Sequence, residues 1–582
     1  MSFRASKPTT SARPPLRPEM TVRQAAADYL GCREVFARYA EPDRPGVKFG
    51  HLEPIERFAA RRGVLAATLL AELAAVAGTT IDFRGPAERT THRPFVAAAL
   101  ICTLSLGVGW GGWLLWQISR EGSFAAVPDR FVVVHGEAQL WGFIVAFVMG
   151  IALRYLPTAT GRRPVSPLVV RALLAALITG VGGSFVGSLA PSAFPWLALA
   201  SGELLWISAA GFLTIVTLQV AGKLHITWAR LILASSGWLL GWATLMLALR
   251  ARLATADAPL YSDRARLLLL QFAVFGFAIN AIYGFGLRLL PGFLGAGSPR
   301  SRPIELTFWL HNAGSLMLNG SPEAWPWLRA VGAFLILGGA GCYATGMRGF
   351  RRRGRPAPDA SWSASRPEIG VHFLRYYVQC AFLWLLVGLL LLTVASLRWA
   401  STGVAPSHSS VGAARHALAV GFMTTLILGV GQRLLPILGQ TLLAWPRLVK
   451  PIFFLVQAGC LLRVTSELGT AVWPAAYAVL AYSAPLELTA LALFAANCLR
   501  TLWPPADSLL TRGRITARSS LKILLAEHPS LEDELIAWGF GYVARTRAVP
   551  GELTIGSFVA GEGQNPAEII ERINAWLADQ ES

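Results

Sequence analysis

Nine histidines occur in this 582-residue chain, and two of them share a register. His135 stands seven residues, and His416 five, before the first glycine of a phrase the sequence spells three times. The phrase is Gly-Phe, six residues, Gly, three residues, Arg, any residue, Leu-Pro. Its copies are Gly142, Phe143, Gly150, Arg154, Leu156, Pro157; then Gly276, Phe277, Gly284, Arg288, Leu290, Pro291; then Gly421, Phe422, Gly429, Arg433, Leu435, Pro436. Six identical positions at fixed spacing, with starts 134 and 145 residues apart, make an internal repeat. On helices entering from the same side, the two imidazoles lie at similar depth, roughly 3 Å apart along the axis. Two neutral imidazoles facing each other across a bundle have the chemistry of axial ligands to a haem iron. The plainer alternative is that each caps or hydrogen-bonds at a helix end near the headgroups.

Other polar residues in apolar surroundings are weaker candidates. Gln271 takes the position of His416 in the middle copy, so that copy has no such ligand. His311, beside Asn312, stands halfway along an apolar run and could meet a metal such as copper, or simply tie two helices together. Glu137, Glu203 and Glu487 lie in or at the edges of apolar runs. Of these, Glu137 and Glu203 are candidates for proton or metal contacts, with a local structural role as the alternative. The three repeated Arg fall about 28 Å from the His level by helical rise, where they suit helix C-termini and inner headgroups. The repeated Gly read as close packing positions, and each Leu-Pro as a helix end. His51, His92, His225, His372, His408 and His528 fall outside the spans or at their boundaries.

The elements that must position these residues follow from composition. The chain is 54% hydrophobic and 15% charged, with mean hydropathy +0.49. Apolar runs near 94–117, 132–155, 167–190, 194–219, 227–249, 266–290, 304–320, 326–346, 373–397, 412–436, 449–466 and 469–498 predict about twelve membrane helices. The phrase falls on spans two, six and ten, which divides the membrane domain (93–500) into repeats near 93–220, 227–346 and 372–500. The fold class expected is an all-α polytopic membrane protein. The net charge of +19 is explained by Lys and Arg gathered in alternate loops, not by nucleic acid. The same bias predicts both termini on the cytoplasmic side of a bacterial inner membrane. Six scattered Cys show no Cys-x-x-Cys pair. Residues 1–19 read as disordered and show no cleavable leader. Residues 20–82 and 513–580 read as small helical cytoplasmic modules, loosely alike.

Two phrases carry a resemblance. His135-Gly-Glu-Ala-Gln-Leu-Trp-Gly-Phe opens span two, and Arg415-His416-Ala-Leu-Ala-Val-Gly lies at the start of span ten. Together with three groups of four spans, they resemble subunit I of haem–copper oxidases and nitric oxide reductases. The second phrase is close to the Arg-His-Ala-Leu-x-Val-Gly of NnrS-type proteins. The resemblance covers residues 93–500 and implies a b-type haem between His135 and His416, with copper as a further possibility. It also implies a diatomic gas such as nitric oxide, or an electron donor, as partner. The chain departs from the oxidases in having one His in the membrane part of span ten, none in span six and one in span seven. A complete binuclear centre is therefore not expected, and whether any reaction turns over stays open. The terminal modules resemble a small helical domain found with iron–sulfur repair and hybrid-cluster proteins, but Gly539-Phe540-Gly541-Tyr542 has no nearby Cys.

The function expected is a haem-binding membrane protein acting in nitric oxide response or respiratory electron transfer. A secondary transporter without cofactor, and a scaffold recruiting protein partners through its terminal modules, are the rivals.

Overall fold

The structure is a computed structural model of the chain. It describes residues 90–503 apart from 190–192, 256–261, 295–297, 322–324, 348–368 and 440–442. Toward the ends it describes residues 16, 20, 22–29, 31–39, 66–79, 530–540, 555–561 and 564–581, with isolated positions between. Expectations for residues 1–15 and for the basic loop 348–368 lie outside the described residues. The chain divides into two compact units: Met1–Pro86 together with Pro504–Ser582, and Ala87–Trp503.

Among the described residues, eleven helices of the second unit are long and apolar enough to cross a membrane. Numbered along that unit, helix one is His92–Glu121, two Asp129–Thr160, three Pro167–Leu189, four Trp196–Lys223, five Thr227–Arg252 and six Asp263–Leu294. Helix eight is Pro326–Gly346, nine Phe373–Thr402, ten His408–Leu438, eleven Pro446–Gly469 and twelve Ala476–Leu502. The run expected at 304–320 is helix seven, Ser301–Gly320, which packs along helix eight. It falls short of the others in apolarity because it carries Arg302, Glu305, His311, Asn312 and Asn319. The last span begins later than the expected 469, since residues 470–475 form a turn through Pro474.

Helices two, six and ten are the most enclosed of these, with 78%, 72% and 78% of their apolar windows buried. That share sets them at the centre, with the others partly facing outward. The repeated glycines explain how the centre closes. Gly142 meets Cys102 of helix one, Gly276 meets Trp238 of helix five, and Gly421 meets Trp384 of helix nine. Two turns on, a Cβ at Gly150, Gly284 or Gly429 would come within 2.5, 2.6 and 2.5 Å of Phe95, Ile232 and Tyr377. Only a residue without a side chain lets each phrase-bearing helix lie so close to the helix before it.

The phrase also opens in the same local structure each time. Gly142 lies in a π-helical segment over Ala138–Val145, Gly276 in one over Phe272–Ala278, and Gly421 in one over Ala417–Thr424. A π turn holds an extra residue and frees carbonyls from the ordinary ladder, which side chains then take up. Asn280 Nδ2 donates to the Gly276 carbonyl at 2.8 Å, Ser235 to Phe277 at 2.8 Å and Thr425 to Val420 at 3.1 Å.

The expectation that Leu-Pro ends each helix needs correction. The helices run on past Pro157, Pro291 and Pro436 to Thr160, Leu294 and Gly439. Proline removes one i−4 hydrogen bond, and the last turn persists beyond it before stopping.

In the first unit the described parts are helical and hold two separate cores. One gathers Leu16, Tyr29, Phe36, Phe58 and Leu73; the other Ile515, Leu524, Leu535, Phe558 and Ile573. The Ile55 N–H donates to Met20 O at 2.8 Å, and the Ile555 N–H to Ser519 O at 2.9 Å.

Candidate functional site

The two histidines are held by different neighbours but in the same manner. His135 is near the start of helix two and packs on helix one. A Cβ on Gly111 would lie 2.7 Å from its Nδ1, so the glycine makes room for the ring. Helix one winds as a π turn over Thr103–Gly107 and leaves helical geometry at Gly107, with φ −83° and ψ −105°. That carbonyl, out of the ladder, lies 3.0 Å from His135 Nδ1.

His416 is the last residue before the π segment of helix ten. Its Nδ1 lies 2.9 Å from the Gly412 carbonyl one turn back, and 3.1 Å from Glu467 Oε2 on helix eleven. With both Nδ1 atoms facing oxygen, the neutral tautomer is fixed with the proton on Nδ1 and the lone pair on Nε2. Neither Nε2 has a hydrogen-bond partner among the described residues. Both rings are half-buried and lie within electrostatic reach of one another. Helices two and ten approach further along, where a Cβ on Gly431 would sit 3.3 Å from Phe147.

Beside them is a buried charge cluster that sequence reasoning passed over. Arg463 on helix eleven, 6% exposed, has its Nε 3.4 Å from Glu467 Oε2. Its Nη1 is buried without a hydrogen-bond partner, and the guanidinium is within electrostatic reach of His135. Glu467 is 1% exposed and leans against Gly412, where no side chain stands in its way. The signal in the sequence was an Arg and a Glu four residues apart within an apolar run. Glu487, 8% exposed on helix twelve, packs against Gly459 and leaves Oε1 unpartnered.

The remaining candidates are placed as follows. Glu137 pairs with Arg250 of helix five at 2.7 Å, and the same guanidinium donates to Ser184 at 2.7 Å. Gln271 is 2% exposed and neither of its amide atoms has a hydrogen-bond partner. Glu203 is exposed on helix four. His311 is fully buried, its Nε2 2.8 Å from the Phe275 carbonyl in the π segment of helix six. Its ring stands edge-on to Tyr283 at 5.4 Å. Among the described residues no group of three or more His, Cys, Asp or Glu is arranged to hold a metal ion. His92, which sequence placed outside the spans, is the first residue of helix one, fully buried with both ring nitrogens unpartnered. The six cysteines are free.

The architecture is that of a polytopic helical membrane protein with a known counterpart. Among solved structures the chain is similar to one titled "Cryo-EM structure of a heme-copper terminal oxidase dimer provides insights into its catalytic mechanism", at TM-score 0.52 and 13% identity. The match covers 72% of this chain and 85% of that one, and at this identity it is a likeness of fold. Within the chain, the family model described as NnrS protein matches residues 360–505. That stretch takes in helices nine to twelve, with His416, Arg463 and Glu467. The chain is thus NnrS-like there and distantly oxidase-like in fold. No curated protein matches it.

Proposed function

We propose that the membrane unit holds one b-type haem between His135 and His416, and that the protein serves nitric oxide response or respiratory electron transfer. The observation that carries this reading is a pair of imidazoles on helices two and ten, each with Nδ1 against oxygen and Nε2 unengaged. That is the arrangement histidine adopts when its other nitrogen is a metal ligand. The Arg463 guanidinium beside them has an unused donor, which fits the carboxylates of a haem. The similarity to NnrS and to a terminal oxidase supports the same cofactor.

A haem held by two histidines supplies a one-electron couple, and a gas could reach the iron only if one histidine let go. His135 Nδ1 meets a backbone carbonyl alone, whereas His416 Nδ1 meets a backbone carbonyl and a carboxylate, so the two ligands are not equivalent. The basic loops support an inner-membrane placement with cytoplasmic termini, with an electron donor or nitric oxide as partner.

The test is haem quantitation by pyridine haemochrome on detergent-purified protein, followed by titration of the reduced form with nitric oxide. About one b-type haem per chain supports the reading. A folded, colourless protein from haem-replete cells would sink it. Spectral change on reduction without change on nitric oxide addition would favour the electron-transfer role.

A further inference from the structure

We infer that Glu467 is a positioning residue for His416, and sets the redox balance of the haem proposed above through its charge beside Nδ1. The inference rests on that haem reading. Glu467 Oε2 stands 3.1 Å from His416 Nδ1 and 3.4 Å from Arg463 Nε, with the side chain 2% exposed. Arg463 holds the carboxylate from its own helix, one turn back, and Gly412 leaves it room from helix ten. The Nδ1–H donates to the Gly412 carbonyl at 2.9 Å, and the carboxylate oxygen 3.1 Å from the same nitrogen adds a negative charge beside it, which makes Nε2 a stronger electron donor. His135 has only the neutral Gly107 carbonyl in that place. A more basic ligand stabilises ferric over ferrous iron, so the contact lowers the midpoint potential.

Two independent substitutions break the contact. Glu467→Gln removes the charge and keeps the shape. Gly412→Ala keeps the charge but places a methyl group where the carboxylate lies. Redox titration of the purified protein, followed optically, reads the outcome. Both variants are expected to keep the two-histidine haem spectrum at a raised midpoint, by about 59 mV for each tenfold loss of ferric preference. Glu467→Asp should fall between them and the parent. Combining Glu467→Gln with Gly412→Ala should add little, because both act on one contact.

A haem-containing parent whose midpoint matches that of Glu467→Gln or Gly412→Ala overturns the inference and leaves the haem reading intact. A parent without haem overturns the haem reading itself. Should Glu467→Gln lose the haem, the other two variants decide: a raised midpoint in them supports the role. Loss of haem from all three overturns a positioning role in favour of a purely structural carboxylate.

Discussion

Arg250 of helix five reaches Glu137 of helix two, with Nη2 2.7 Å from Oε2 and only 2% of the arginine side chain exposed. Its other terminal nitrogen donates to Ser184 and to the Ala198 carbonyl, so one guanidinium joins four helices at the level of the histidines. A charge this buried depends on its partner. Replacing Arg250 with Met leaves the Glu137 carboxylate stranded, at a cost of about 3–5 kcal/mol. Glu137→Gln keeps one acceptor and should cost less. Thermal unfolding in detergent compares them, and equal melting for Arg250→Met and parent would contradict the account of the pair.

The packing reading of the repeated glycines is tested by adding one carbon. Gly150→Ala places a methyl group against Phe95 and is expected to cost about 1–3 kcal/mol through overpacking. Gly182, in helix three, has nothing within 4 Å of its Cβ position. Gly182→Ala should be neutral or slightly stabilising, because alanine is the better helix former. If the two variants melt alike, close helix approach does not explain the phrase.

How much of this was legible in the sequence depends on the scale. The helix type followed from hydropathy; of about twelve expected spans eleven are apolar enough to cross a membrane among the described residues, and helix seven falls below them because of its polar residues, two of which bond helix six. Asn312 exchanges amide hydrogen bonds with Asn280 at 3.1 Å in each direction, and His311 bonds the Phe275 carbonyl. Spacing from the repeat put His135 and His416 at one depth. It could not show Arg463 and Glu467 beside them, since contacts between helices ten and eleven are tertiary. Nor could it show the π segments, where the extra residue leaves no mark in hydrophobic periodicity. The Leu-Pro misreading came from treating proline as a stop when a helix can finish its turn beyond it.

His311 is expected to act as a tie between helices seven and six. His311→Ala removes the bond to Phe275 and opens a cavity, which should cost about 2 kcal/mol or more. The haem bands should be unchanged, since the His135 and His416 supports lie on helices one, ten and eleven. Copper content measured alongside gives an independent readout: a stoichiometric copper lost in this variant alone would contradict the tie and establish a metal site.

Outside the membrane helices, Tyr39 donates to Glu72 Oε1 at 2.5 Å. That hydrogen bond, with burial and the carboxylate's charge, raises the phenol above its usual range. A raised folded value means the folded state holds its proton more tightly. The stabilisation is therefore complete below about pH 10, the unfolded value, and is lost as pH rises through the folded one. Hydrogen exchange across residues 22–39 of the full chain should speed up above pH 10 in the parent. Tyr39→Phe should be less protected at neutral pH, by about 1 kcal/mol, and should lack that alkaline loss. The same alkaline acceleration in Tyr39→Phe would assign it to another group.

The most direct test of the central claim is the reduced-minus-oxidised optical spectrum of the detergent-purified protein, beside His135→Ala and His416→Ala. The account predicts Soret and α bands in the parent that are lost in each variant, while both remain folded. Bands that persist unchanged in either variant would contradict ligation by this pair.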